Sequence, residues 1–79
     1  MNTATINGYD LRNCACCGGL LVNFDGNTKA YSGTFYDCDN DPSSLGIDSA
    51  TVFPVTLQVN WKKDGICDTT HIYITAHGK

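Results

Sequence analysis

Five cysteines stand at positions 14, 16, 17, 38 and 67 of a 79-residue chain, three of them inside Cys14-Ala15-Cys16-Cys17. Sulfur at this density cross-links a chain, holds a soft metal, or does redox chemistry. A disulfide needs facing Cβ vectors and a suitable Cα separation, which close neighbours in sequence rarely offer. The expected pattern therefore joins two of the clustered cysteines to Cys38 and Cys67. Each bridge would then close a loop of tens of residues, worth about 2–4 kcal/mol. An odd count leaves one thiol, either free or joined to a second chain in a disulfide-linked dimer. The alternative is a thiolate site for zinc or copper, with Cys14, Cys16 and Cys17 completed by Cys67 or Cys38. Against it, the chain lacks the paired C-x-x-C knuckles of a zinc ribbon. Thiol redox chemistry ranks third, because the usual C-x-x-C at a helix start lowers the nucleophile's pKa. The stretch Cys14-Ala15-Cys16-Cys17-Gly18-Gly19 is not read in that form, and no helix is expected after it.

Carboxylates are the second candidate chemistry. Asp37, Asp39, Asp41 and Asp48 fall at positions one, three, five and twelve of a calcium-loop count. The sixth position is Pro42, which cannot make the turn that glycine makes there, and position twelve is Asp rather than Glu. A solvated acidic loop is the preferred reading, with a calcium site as the weaker one. His71 and His77 are both expected on the outward face of the last strand, about 20 Å apart, too far to share a metal. Tyr73 beside His71, with Tyr31 and Tyr36, suggests an aromatic face. No serine has a nucleophile context, and no phosphate-loop or dinucleotide signature is present.

The elements that must position these residues are mainly strands. Ala4-Thr5-Ile6 is a short strand ended by Asn7-Gly8. Leu20 to Phe24 is a second, and after Asp25-Gly26-Asn27 the chain returns as a strand over Thr28 to Tyr36. Gly18-Gly19 marks a tight bend or close backbone approach. Asp37 to Ala50 reads as a loop with one helical turn starting at Pro42. Over Thr51 to Lys62, Val55, Leu57, Val59 and Trp61 alternate with polar residues, the period of a half-buried strand. Pro54 inside that pattern marks an edge or bulge. After Lys63-Asp64-Gly65, Thr69 to Ala76 forms the last strand, with Ile72, Ile74 and Ala76 inward. The result is a mainly β, cysteine-stapled single domain over 1–79, an antiparallel sandwich or partly open barrel of about five strands.

Composition narrows the function classes. The chain has no Glu, a formal charge of −3 and only five basic residues, so nucleic-acid binding is not expected. No apolar run reaches the length of a membrane span, and the start lacks the basic and apolar regions of a signal peptide. A domain this small buries only about 60% of its unfolded surface, so a staple has a large share in its stability.

Gly8-Tyr9-Asp10-Leu11-Arg12-Asn13-Cys14-Ala15-Cys16-Cys17-Gly18-Gly19 resembles an element of small secreted proteins and lipoproteins of Bacteroidetes. Pro54-Val55-Thr56-Leu57-Gln58-Val59-Asn60-Trp61 is similar to a later strand of theirs, and Cys67 to the single cysteine that follows it. The resemblance implies a secreted or envelope location, no known activity, and Cys14, Cys16, Cys17 and Cys67 as the core quartet. Cys38 lies outside it. The function expected is a non-enzymatic structural or interaction module with a protein or small ligand as partner and no cofactor. If the thiols are reduced or metal-bound, the location is cytosolic.

Overall fold

A computed structural model describes residues 1–64 and 71–78. Its strands are β1 (Asn2–Tyr9), β2 (Leu20–Asn23), β3 (Tyr36–Cys38), β4 (Val55–Lys63) and β5 (His71–Gly78). They close into a barrel in the order β1-β2-β3-β5-β4. β1, β2 and β3 run antiparallel, and β4 returns beside β1, which makes a Greek key. β5 then fills the remaining gap, antiparallel to β4 and parallel to β3. The mainly β expectation therefore holds, and closure removes the sheet edges that would otherwise invite pairing with other chains.

Alternation drives the core. Leu57 and Val59 of β4 and Ile72 and Ile74 of β5 point inward, against Ala4 and Ile6 of β1 and Leu20 and Val22 of β2. A 3-10 turn over Pro42–Leu45 adds Leu45, and Ile47 follows. That turn is specified locally. Asp41 accepts a hydrogen bond from the Ser43 N–H, Pro42 supplies a preset φ, and Gly46 ends it in the left-handed region.

Four strand expectations need correction. Asn7-Gly8 does not end β1. Ile6 pairs with Val22 and Gly8 with Leu21, so Asn7 is an extra residue in a bulge, and the strand runs on to Tyr9. Thr28 to Tyr36 is not a strand until its last residue. Tyr31 and Gly33 both take left-handed φ, and Asn27 donates a side-chain hydrogen bond to the Ser32 carbonyl, so turns replace the extended chain. Ala76 faces outward rather than inward. Trp61 pairs with Ile74 but Asn60 with Ala76, so the extra residue Thr75 changes the face that follows it. Pro54 precedes β4 instead of lying within it.

Candidate functional site

The segment 10–19 connects β1 to β2 and is closed at its base, where the Asp10 N–H donates to the Gly19 carbonyl at 2.8 Å. Gly19 has φ +77°, and a Cβ there would collide with the carbonyl oxygen of Cys38. Only glycine lets the segment lie this close to β3. Within it the Cys17 N–H donates to the Cys14 carbonyl at 3.1 Å, and that turn brings the two Cα atoms to 5.1 Å. This separation suits a bridge, and Cys14 and Cys17 are joined as a disulfide. The expected pattern, two clustered cysteines joined to Cys38 and Cys67, is thereby overturned, since two of the cluster pair with each other and Cys38 is free. Cys14 and Cys17 stand at C-x-x-C spacing, a signal that the intervening Cys16 obscured.

Cys16 is likewise disulfide-bonded. Cys38 is free and fully buried, its thiol donating to Asn40 Oδ1 at 3.1 Å, and burial pushes its pKa up. It therefore does not pair with the cluster, and an interchain bridge through it would require the barrel to open. Cys67 lies outside the described residues. With their sulfurs in disulfides, Cys14, Cys16 and Cys17 offer no thiolate to a metal.

Beneath this segment lies a cluster of charged side chains. The Arg12 guanidinium grips Asp10 with three hydrogen bonds, Nε to Oδ1 at 3.0 Å and to Oδ2 at 3.3 Å, and a terminal nitrogen to Oδ2 at 2.8 Å. The same nitrogen reaches Asp37 Oδ2 at 3.5 Å. Arg12 also lies over the rings of Tyr31 and Phe35, at 5.6 and 5.1 Å from their centroids. Asp37 is 1% exposed, and His71, its partner in the parallel β3–β5 register, is 7% exposed. His71 Nδ1 contacts Asp39 Oδ1 at 2.8 Å, Nε2 contacts the carbonyl of Cys16, and Asp37 Oδ2 stands 3.8 Å away. Both of the ring's close partners are acceptors. With Asp39 ionised, both ring nitrogens donate and the imidazole is the cation; burial pushes the Asp39 carboxyl up and its bond to His71 holds it down.

The electrostatics follow from that geometry. The Arg12 guanidinium holds Asp10 well below the usual carboxylate range, against the opposing effect of burial. Burial first, and then the hydrogen bond to Asp10, raise Asp37 to about 7 against the opposing charges of His71 and Arg12. Burial lowers His71, but its bonds to the Cys16 carbonyl and to Asp39 outweigh this and raise it. As an ionised group, Asp37 leaves its buried Oδ1 without a partner. A proton on Asp37 turns two like-charged carboxylates into a donor–acceptor pair. Asp10 and Asp39 then balance Arg12 and His71.

The calcium-loop aspartates do not converge. Asp37 and Asp39 serve His71, Asp41 caps the 3-10 turn, and Asp48 accepts from the Ala50 N–H at 2.8 Å. Among the described residues no three His, Cys, Asp or Glu side chains group to hold a metal ion. His71 was expected on an exposed face. It does point away from the interior, but the cysteine segment covers it. His77 is exposed and contacts the Ser44 carbonyl at 2.9 Å. The three tyrosines do not share one face: Tyr31 packs on Phe35, Tyr36 on Phe24 and Trp61, and Tyr73 is exposed. Asp10 and Arg12 pair two residues apart without forming a recognisable motif, and the groups they meet, Asp37, Tyr31 and Phe35, are remote in sequence. The readable signal was the shared parity of Asp37 and Asp39.

This covered cluster under a cross-linked segment is the chemistry the fold assembles, and no known family model, curated protein or solved structure matches the chain to assign it a use.

Proposed function

We propose that this chain is a non-enzymatic, secreted or envelope-attached interaction module, a β-barrel held together by disulfides. The observation supporting this is that His71 spends both ring nitrogens on the covering segment and on Asp39. His71 and its carboxylate partners are thus committed to architecture, and the sulfurs of Cys14, Cys16 and Cys17 to cross-links. No helix among the described residues is long and apolar enough to cross a membrane. An intrachain disulfide accords with an oxidising compartment. Thermal unfolding with reductant or chelator tests the reading. Reductant should lower Tm by at least roughly 8–16 °C, the equivalent of about 2 kcal/mol from the short Cys14–Cys17 loop alone in a domain this size, and chelator should leave it unchanged. A chelator-sensitive, reductant-insensitive Tm would instead mean a metal-binding domain.

A second reading is supported by the C-x-x-C spacing of Cys14 and Cys17 together with the exposure of Cys14. It makes the pair a thiol–disulfide exchange site, with a dithiol substrate oxidised as the bridge is reduced. Oxidation of one dithiol per bridge reduced, repeated when glutathione disulfide is added as the oxidant that restores the bridge and lost in Cys14→Ser, would favour it over the structural module.

A further inference from the structure

Phe24, Asp25, Thr34 and Tyr36 line an open concavity of about 270 Å³ where β2 ends and β3 begins. Two of its four lining side chains are aromatic. Phe24 stacks on Trp61 with centroids 4.8 Å apart and planes 15° apart. Tyr36 leans against Phe24 at 5.7 Å and 51°, so the two rings form a corner rather than a flat sheet. All three rings pack on the barrel core, which fixes them before any ligand arrives.

Asp25 stands at the same concavity. One of its oxygens accepts from the Asn27 N–H at 3.1 Å, and among the described residues its carboxylate makes no ion pair. An aromatic corner with an uncompensated carboxylate favours a cation: the ring faces are electron-rich, and the acid supplies the counter-charge. The chain's net charge of −3 adds attraction of the same sign. The volume suits a single head group rather than a drug-sized ligand, whose pockets begin near about 300 Å³.

We propose that this concavity binds one organic ammonium group carried by a small molecule. Phe24 and Tyr36 contact the cation's methyl or methylene surface, Asp25 neutralises it, and Thr34 offers a hydroxyl to a polar tail. The proposal rests on the reading of the chain as an interaction module and names the ligand class. Trp61 is the chain's one tryptophan, so its fluorescence reports on the ring it stacks against.

The test is a fluorescence titration of the intact, oxidised chain with choline, with 3,3-dimethyl-1-butanol as the neutral isostere and potassium chloride as the ionic-strength control. Choline should give a saturable change, with the alcohol about tenfold weaker and the salt without effect. Asp25→Asn keeps the acceptor for the Asn27 N–H and should leave Tm unchanged while weakening choline about five- to tenfold. Equal binding of the alcohol and choline, no saturable change, or an unaltered affinity in Asp25→Asn at unchanged Tm would overturn the proposal. Those failures leave the reductant and chelator melts untouched, so the two claims fail separately.

Discussion

At the scale of single residues, the account turns on Asp37 and His71. Both have folded pKa values above their ordinary ones. A raised value means that the folded state holds the proton more tightly, so the stabilisation is full at low pH and fades as pH rises through the folded value. For Asp37 the window runs from the ordinary carboxylate range up to about 7. The ceiling on its contribution is roughly 4 kcal/mol. His71 loses its contribution above the ordinary histidine range. Asp10 is held low, so its stabilisation disappears only in strong acid. Tm should therefore fall between pH 5.5 and 8.5. Asp37→Asn should flatten that fall and gain about 1–3 kcal/mol at pH 8.5, because an amide stays neutral and can donate to Asp10. An unchanged slope in this variant would show that Asp37 is ionised throughout. His71→Ala should cost about 3 kcal/mol in chemical denaturation at pH 6, since it strands Asp39 and the Cys16 carbonyl. None of this was readable locally, because Asp10, Asp37 and His71 meet only when β3 and β5 pair in parallel.

At the scale of elements, two short devices hold the site in place. Asn40 acts as an extra rung after β3: its amide donates to the Ile74 carbonyl at 2.9 Å, and its Oδ1 accepts from the Ile74 N–H at 2.7 Å. Asn40→Ala leaves those buried groups and the Cys38 thiol unpaired. It should cost about 2–3 kcal/mol in urea unfolding, and a cost under 0.5 kcal/mol would remove the rung from the account. Gly19→Ala meets both an unfavourable φ and the Cys38 backbone, so it should destabilise the fold more than the Asn40 variant does. The glycine pair was legible as a bend or close approach, and the turn at Pro42 was legible from its proline. The 28–36 segment reads as a strand in sequence because its β-favouring threonines, tyrosines and phenylalanine outweigh the turn-forming Asn27 and Gly33. In the fold, Asn27 anchors that segment through Asn23 and Asn7, two buried or half-buried amides.

For the whole molecule, the alternation in β4 and the scarcity of helix formers made a small β-domain legible. Barrel closure was less so, since it depends on β4 returning to β1 across the chain. The Cys14–Cys17 bridge carries less energy than a long-range pairing would. Cys14–Cys17 closes only a short loop, worth about 2 kcal/mol, and it acts chiefly by fixing the segment that covers His71. Intact mass of the chain, alkylated before and after unfolding and then mapped by peptide, tests this most directly. The account predicts a mass lower than the fully reduced chain by the hydrogens of two disulfides. It also predicts a Cys14–Cys17 cross-link and one thiol, Cys38, that alkylates only after unfolding. A fully reduced mass under denaturing conditions, with a native increment of zinc or copper, would contradict it.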